Sequence, residues 1–552
     1  MGGVRGGGPG AAPVMGAGGG RRPPLAATGA GAGPGGRDSW RIGRLRVPGG
    51  GWRRTAAGVA GAGLVTFALM STVAWGLGRR QPSTKVLRAL KARADTPMAL
   101  DREALCRTAT TLNEDLALLV PPWSGARISG QGATVPDEVA AAWAVVERHI
   151  PEPEMFQKLR DAVPPDIHRT GRSEGNHKPI GGPGLEPWAT KFLTLDLDNF
   201  RKELPAYPAD GYSGRGVVLT GGGVRHFGGA VVVFATLRKQ GCTLPGELWV
   251  TAAERKDMPA AVVGALETQL GCAVRVLPAS EKGELGGYAA KTGTLMLSSF
   301  REVLFLDSDN VPITNACDLF ETEEYNQTGT MMWPDYWPPS PAPELQHITR
   351  TKELLNRTHE TGQMLFDKQR GWRPLMVAAY FNMLGPGLYY KLFTDYMGEG
   401  DKETFAHAFL TEGLPEYTVP HPVQSIGAFH TVEGEVKHIQ YAMLQRRPDG
   451  EPVFMHQNIF KTTFFNLPDT PQGNRPAKLG VFTDGEPLVH GAGYDIEAWV
   501  WTVLRAVRCD RRVVKKMLEV RNRIVPNNWC WMMKFYMLAY NTRDSLVCPL
   551  ED

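Results

Sequence analysis

The sequence has few cysteines, and none of them has the spacing of the common metal or redox motifs. Its 552 residues include seven cysteines, and no two of them form a C-x-x-C pair. That pair is typical of zinc sites and thioredoxin-like centres, so the sequence argues against both. Because seven is an odd number, at least one cysteine is free or pairs with another chain. A strong excess of one charge is also lacking, since 61 Lys and Arg face 57 Asp and Glu. We therefore expect no nucleic-acid partner.

The amino-terminal segment differs from the rest in composition. Its first 50 residues are rich in Gly, Ala and Pro and carry seven arginines but one acid, Asp38. Such a segment cannot bury enough apolar surface to fold, so residues 1–55 are predicted to be a disordered Gly/Arg-rich tail. Residues 56–78 then run for 23 positions without a charge, which is long enough to span a bilayer. A low-complexity tail and an organelle transit peptide are the alternatives.

The simplest interpretation of residues 56–78 is a transmembrane signal anchor, with residues 1–55 cytoplasmic and the bulk of the chain translocated. Basic residues flank both ends, so the charge bias does not decide the orientation. Two N-glycosylation sequons agree with translocation, one at Asn326-Gln327-Thr328 and one at Asn356-Arg357-Thr358.

The rest of the chain is predicted to contain a stalk and helical region, residues 79–205, followed by an α/β domain, residues 206–552. Strands are predicted at 216–220, 247–251 and 273–277, and a fourth ends at Asp307. Helices are predicted at 229–240, 258–270 and 288–298. Strands alternating with helices predict a mostly parallel central sheet with right-handed crossovers.

The most informative motif is Asp307-Ser308-Asp309, which follows the apolar run Val303–Leu306. Ligands of open α/β sheets bind outside the carboxyl ends of strands, where these two carboxylates would lie. Two hard carboxylates suit Mg²⁺ or Mn²⁺ together with a phosphate, as in nucleotide-sugar transferases. A solvated acidic turn and a haloacid-dehalogenase-type phosphatase are alternatives. A calcium loop is excluded because Pro312 stands where an EF-hand requires glycine.

Other segments offer polar groups around this motif. The turn at 221–223, followed by Arg225 and a helix, suits a diphosphate, although a plain tight turn is the alternative. Lys291 can add positive charge, and His456 can be a third ligand, since imidazole suits Mn²⁺. For both, an ordinary solvated or structural side chain is the alternative. The aromatic run at 333–337, which includes Asp335, suits a sugar surface or a loop cluster.

Taken together and in order, these segments resemble the fungal-type α-mannosyltransferases of glycosyltransferase family 71, which are Golgi type II membrane enzymes. The resemblance extends over residues 214–461. It includes the glycine turn and the strings "LRKQGCTLPGELWV", "KTGTLMLSSFREVLFLDSDNVPI", "WPDYWPPS", "ETGQMLFDK", "YFN", "GDKETF" and "FMHQN".

The resemblance implies a GT-A-like catalytic domain that uses GDP-mannose and Mn²⁺ or Mg²⁺, with retention of anomeric configuration and no protein nucleophile. It implies metal ligation by Asp307, Asp309 and His456. Residues expected to contact the nucleotide sugar or its cation are Gly222, Arg225, Lys291, Asp307 and Lys461. Residues expected to hold the donor and acceptor sugars are Glu360, Gln363, Asp401 and Glu403.

We therefore expect a single-pass Golgi membrane enzyme with a lumenal catalytic domain that transfers mannose to a glycan or glycoprotein acceptor. Three alternatives remain: use of another nucleotide sugar, a non-catalytic carbohydrate-binding protein, and the phosphatase.

Overall fold

The computed structural model describes residues 111–125, 135–165, 167, 183–224, 226–278, 287–353, 355, 357–393, 400–432, 435–458, 481–482, 493–494 and 496–521. The predicted tail and the predicted membrane span lie outside these residues, as do the two predicted site residues Arg225 and Lys461. Within the described part of the chain, no helix combines the length and apolar character needed to cross a bilayer.

Eleven strands and fifteen α-helices are present in the described ranges. The strands are β1 Arg215–Thr220, β2 Gly246–Val250, β3 Cys272–Val276, β4 Glu302–Asp307, β5 Asn310–Pro312, β6 Thr330–Pro334, β7 His359–Asp367, β8 Gln424–Val432, β9 Glu435–Arg446, β10 Pro452–His456 and β11 Val481–Phe482. The helices are α1 Leu112–Leu119, α2 Asp137–Arg148, α3 Pro153–Asp161, α4 Pro187–Glu203, α5 Phe227–Lys239, α6 Ala252–Asp257, α7 Ala260–Gly264, α8 Ala289–Leu297, α9 Glu323–Thr328, α10 Glu344–Thr349, α11 Trp372–Met383, α12 Tyr390–Phe393, α13 Thr404–Glu412, α14 Ile496–Cys509 and α15 Arg511–Arg521.

The central sheet has six strands in the order β3-β2-β1-β4-β7-β6. The first four are parallel to one another, which confirms the predicted alternation of strands and helices. Strand β7 is antiparallel to both β4 and β6, so five of the six strands run in the same direction. The fold is therefore α/β with a mixed, mostly parallel sheet.

A second sheet of five strands has the order β11-β8-β9-β10-β5. Its last strand, β5, begins three residues after β4 ends, so the chain passes from one sheet into the other through Ser308 and Asp309. The acidic motif therefore lies at the junction of the two sheets.

Both faces of the central sheet are buried by helices, and the strand sequences show why. On β4, Leu304 and Leu306 pack in one apolar cluster with α5 and α14, while Val303 and Phe305 pack in another with α8, α11 and α13. Successive side chains of a strand point to opposite faces, so a strand covered on both faces is apolar throughout. This is the physical reason for the run Val303–Leu306.

The described helices before the sheet share its core. Residues of α2 and α4, among them Trp143 and Phe200, belong to the apolar cluster that contains Val303. Leu112 and Leu116 of α1 belong to the opposite cluster. The described part of the predicted stalk and helical region is thus packed against the sheet. The predicted domain boundary near residue 205 stays a prediction.

A disulfide joins Cys242, which follows α5, to Cys317. Cys509 is also disulfide-bonded, and Cys272 is free and buried. The Cys242–Cys317 bond closes a loop of 75 residues that includes β2, β3 and β4. It therefore restricts the unfolded chain over most of the parallel sheet.

Replacing both cysteines by serine (Cys242→Ser/Cys317→Ser) is expected to lower the free energy of unfolding by about 3 kcal/mol, because the longer the closed loop, the more entropy the unfolded chain regains. Denaturant unfolding of the oxidised protein and the double variant measures this difference. Equal midpoints would show that the bond does not contribute to stability.

Candidate active site

The Asp307-Ser308-Asp309 motif lies where the parallel strands end. The last residue of β1, Thr220, is paired with Asp307, and it is also paired with Trp249 near the end of β2. The carboxyl ends of three neighbouring strands therefore meet at this edge. This is the position at which α/β sheets bind ligands, so the predicted position of the motif is confirmed.

His456 is brought to the acidic motif by the second sheet. Strand β10 is antiparallel to β5, and the register pairs His456 with Asn310. The backbone N–H of Gln457 donates to the carbonyl of Asp309 at 2.9 Å. Ligand atoms of Asp307, Asp309 and His456 all lie within 4.8 Å of one another. The three predicted metal ligands, distant in sequence, are thus together in the structure.

Lys291 of α8 connects this cluster to a second acid. Its ammonium lies 3.3 Å from Asp307 and 2.9 Å from Asp401. It also donates to the carbonyl and hydroxyl oxygens of Thr361, at 2.8 and 3.1 Å. Burial acts to lower the pKa of Lys291, but Asp307 and Asp401 together raise it above its ordinary value. Lys291 is therefore a buried, charged ammonium at the acidic edge.

Glu360 of β7 contacts the other side of His456. Its Oε2 lies 2.7 Å from Nδ1 of the imidazole, whose Nε2 is 3.4 Å from Asp309. Burial acts to lower the pKa of His456, but Glu360 and Asp309 hold it well above its ordinary value. Burial acts to raise the pKa of Glu360, and contact with His456 lowers it overall. The amide of Gln363, fully buried, donates to Glu360 and accepts from Asn310.

The glycine turn at 221–223 follows β1 at the same edge. Gly221 has a φ of +101°, a conformation that favours glycine. A Cβ at Gly222 would lie 2.1 Å from a Val250 methyl group. The N–H of Gly223 donates to Glu254, which also caps α6. The turn is thus held against β2 and α6, and it directly follows Thr220, the residue paired with Asp307.

Glu403 lies beside β7 and accepts the backbone N–H of His359 at 3.2 Å. It is almost fully buried, and burial raises its pKa to about 8, although Lys402 opposes the shift. Lys402 in turn is paired with Asp335 at 2.7 Å. Glu403 is therefore protonated at neutral pH in the folded protein. Its predicted contact with a sugar stays a prediction.

The raised pKa of Glu403 makes stability depend on pH. In the unfolded chain the carboxyl ionises near 4.5, whereas in the folded protein it stays protonated up to about 8. Ionisation therefore favours the unfolded chain increasingly as pH rises through this window. Glu403→Gln removes that effect. The variant should be more stable than the wild type by roughly 4 kcal/mol at pH 8, and no more stable at pH 4. Thermal unfolding at both pH values measures this, and a pH-independent difference would contradict it.

The aromatic run at 333–337 is divided between the core and the surface. Trp333 is fully buried, and its indole N–H donates to the carbonyl of Arg446 at 2.7 Å. Tyr336 and Trp337 are 40% and 37% exposed. Asp335, paired with Lys402, ties this exposed pair to the turn that carries Asp401. Only the second half of the run is therefore available for a sugar ring.

Sequence reasoning missed several residues that build the site. Thr361 holds Lys291, and Gln445 donates to Glu360 at 3.1 Å. Gly362 lies so close to His456 that an added Cβ would be 2.6 Å from Nδ1. The exposed Tyr288 packs against Gly400, beside Asp401. Gly362 and Thr361 lie within the motif "ETGQ", whereas nothing near Gln445 in the sequence marks it.

The residues fit a divalent cation. Two carboxylates and one imidazole are ligands that Mn²⁺ accepts, and their spacing allows one ion to reach all three. Glu360 only accepts hydrogen bonds when ionised, so Nδ1 keeps an imidazole proton and Nε2 is the nitrogen that would hold the ion. A cation at Nε2 would take the place of the second imidazole proton and balance the negative charges of Asp307 and Asp309.

Comparison with known proteins identifies mannosyltransferases that are similar to this chain. The sequence pattern of a mannosyltransferase family, Mannosyl_trans3, matches residues 214–359 and 349–446. The α-1,2-mannosyltransferase MNN22 of Candida albicans is 29% identical over 318 residues, which cover 50% of this chain and 52% of that protein. The chain is therefore similar to these fungal mannosyltransferases over the matched residues. The family prediction made from the sequence motifs is confirmed.

Two other mannosyltransferases have similar sequence identity to this chain and similar coverage. The α-1,2-mannosyltransferase MNN21 of Candida albicans is 26% identical, over 56% of this chain and 60% of that protein. The α-1,2-mannosyltransferase MNN2 of Saccharomyces cerevisiae is 28% identical, over 38% of this chain and 42% of that protein. The chain thus matches about half the length of these relatives. Among solved structures, the galactosyltransferase LgtC is 13% identical with a TM-score of 0.24, over 37% of this chain and 72% of that one.

Proposed function

We propose that this chain is a metal-dependent α-1,2-mannosyltransferase that moves mannose from GDP-mannose to a mannose-containing glycan. The observation that carries the proposal is the Asp307–Asp309–His456 cluster, within 4.8 Å, at the carboxyl edge of the sheet. The names of the relatives support mannose as the sugar and α-1,2 as the linkage. The mostly parallel sheet with an acidic motif after β4 supports a GT-A-like catalytic domain.

The donor set favours Mn²⁺ over Mg²⁺, because Mg²⁺ prefers oxygen ligands whereas imidazole suits Mn²⁺. Asp307, Asp309 and His456 would hold the ion. When bound, it supplies Lewis-acid stabilisation of the charge that develops as the nucleoside diphosphate leaves.

The chain's own residues would position the diphosphate and balance its negative charge. Lys291 is held by Asp401 and Thr361, so its ammonium stays beside Asp307 without reorganising when a diphosphate arrives. Gly222 allows the turn after β1 to lie close to β2. Contacts from Arg225 and Lys461 to the diphosphate are part of the proposal. The reaction retains configuration by displacement on one face of the sugar, without a protein nucleophile.

The acceptor sugar is proposed to lie on the exposed rings of Tyr336 and Trp337. Aromatic faces pack on the apolar face of a pyranose, and Asp335, which is next to Tyr336 and half-buried, can accept from its hydroxyl groups. The pair Lys402–Asp335 links this surface to the turn that carries Asp401, which contacts Lys291. Acceptor and donor would thus be held by neighbouring residues of one turn.

A lumenal Golgi location, with a single amino-terminal membrane span, is also proposed. Disulfides persist in oxidising compartments, and two cysteine pairs involve described residues. Asn326 of the first sequon is exposed. Endoglycosidase treatment of protein from a secretory host should therefore increase gel mobility, and Asn326→Gln should remove part of that shift. An unglycosylated protein would count against translocation.

The proposed donor is tested with a panel of nucleotide sugars. The full-length chain is assayed for sugar hydrolysis and for transfer to mannosides, with Mn²⁺ and with chelator. Metal-dependent turnover of GDP-mannose is expected. Turnover of a different nucleotide sugar would keep the site and overturn the donor. Phosphatase activity without sugar turnover would overturn the function.

A further inference from the structure

We propose that Glu360 is a positioning residue that sets the tautomer and direction of His456, and that it does not hold a sugar hydroxyl. This inference rests on the proposed metal site, and it replaces the sugar-binding role expected for Glu360 from the sequence. The observation behind it is that both carboxylate oxygens accept hydrogen bonds inside the protein, where Glu360 is buried.

One carboxylate oxygen of Glu360 is used by the histidine. Oε2 lies 2.7 Å from Nδ1 of His456. A carboxylate cannot donate, so Nδ1 keeps a proton, and Nε2 is the nitrogen at which a cation would replace the second imidazole proton. Nε2 is the atom on the Asp309 side, at 3.4 Å. Carboxylates that accept from a metal-bound histidine in this way orient the ring and increase its basicity.

The other oxygen is used by two amides. Oε1 accepts from Nε2 of Gln363 and, at 3.1 Å, from Nε2 of Gln445. Gln363 is itself oriented, because its carbonyl accepts from Asn310. Asn310 also donates to the carbonyl of Gly362 at 2.8 Å, and it is the residue paired with His456 in the β5–β10 register. Three donors thus converge on Glu360, and one chain of hydrogen bonds fixes its direction.

Packing gives the histidine no alternative position on this side. A Cβ at Gly362 would lie 2.6 Å from Nδ1 of His456 and 3.0 Å from Oε2 of Glu360. Glu360 is 5% exposed. A sugar hydroxyl would have to enter this buried cluster of hydrogen bonds to reach either oxygen. The geometry therefore supports His456 orientation over sugar contact.

The test measures Mn²⁺ affinity, which does not require transfer. Electron paramagnetic resonance of free Mn²⁺ gives Kd for the full-length wild type, Glu360→Gln, Asp309→Ala and Glu247→Gln. In Glu360→Gln the new NH₂ group faces at least one of the three groups that donate to Glu360, so that hydrogen bond is lost. The Kd for Mn²⁺ should therefore rise about 10- to 100-fold. Asp309→Ala should show a larger loss. Glu247 is the matched control, because it is a fully buried carboxylate that accepts from Trp249 and Ser299. Its variant should bind Mn²⁺ as the wild type does.

A second readout addresses the histidine itself. With ¹⁵N-labelled histidine, pulsed electron paramagnetic resonance should show a nitrogen coupling to Mn²⁺ in the wild type, and a weaker or absent coupling in Glu360→Gln. Should Glu360→Gln fail to fold, Glu360→Asp keeps the charge and withdraws it from Nδ1 by one methylene, with the same expected direction.

Wild-type affinity and coupling in the Glu360 variants would overturn the inference, as would a wild type that binds no Mn²⁺. A wild type that binds Mn²⁺ but transfers no sugar would overturn the proposed function and leave the role of Glu360 in place.

Discussion

Asp309→Ala is expected to reduce metal-dependent transfer by about 1,000-fold while leaving the fold intact. Asp309 lies within ligand distance of Asp307 and His456, so its loss removes a cation ligand and the Lewis-acid stabilisation that depends on it, which is worth several kcal/mol. Stability should not fall, because the substitution removes the repulsion between the neighbouring carboxylates of Asp307 and Asp309. Initial rates with Mn²⁺, together with thermal unfolding, measure both effects.

The matched control for this variant is Asp318→Ala, since Asp318 is exposed and accepts a hydrogen bond from the side chain of Asn315. Its rate should equal that of the wild type. If Asp309→Ala kept more than a tenth of the wild-type rate, the assignment of the site would be wrong.

Lys291→Met is expected to cause the second largest effect, a loss of transfer of at least about 100-fold. The substitution removes the ammonium that faces Asp307 and leaves buried Asp401 without its cation. Breaking a buried ion pair from one side costs about 3–5 kcal/mol, so stability should also fall. Transfer rates and denaturant unfolding measure the two losses.

The double variant Lys291→Met/Asp401→Asn separates these effects. Neutralising Asp401 should restore much of the stability, because the unpaired buried charge is gone, but it should not restore transfer. If transfer recovered along with stability, Lys291 would be a structural residue only.

The sequence predicted the parallel sheet well because central strands such as β4 are covered on both faces. Such strands are continuous apolar runs, and glycines end the helices between them, as Gly241 does with a φ of +87°. The acidic motif was placed correctly for the same reason, since it follows directly on the run ending at Leu306.

The second sheet could not be predicted in this way. Its formation depends on pairings such as β5 with β10, which join residues more than 140 positions apart. His456 was assigned from a resemblance, and the register that brings it to Asp309 is a tertiary property. The same holds for Trp333, where the indole group packs against Phe454 in the core and is not on the surface.

The roles of the buried polar groups were also beyond the sequence. Glu360 and Gln363 are three residues apart, and the sequence does not show that they form one hydrogen-bonded group with Gln445. The sequence around Glu403 indicates a charged loop residue, yet burial raises the pKa of its carboxyl to about 8. A carboxylate's role depends on the donors around it, and those come from distant parts of the chain.

The most direct test of the proposed metal site is anomalous diffraction from crystals grown with Mn²⁺ and GDP. We predict one Mn²⁺ peak in coordination contact with Asp307, Asp309 and Nε2 of His456, with diphosphate oxygens as its remaining ligands. A Mn²⁺–GDP complex bound elsewhere, or GDP bound at this edge with no Mn²⁺ beside the two aspartates, would contradict it.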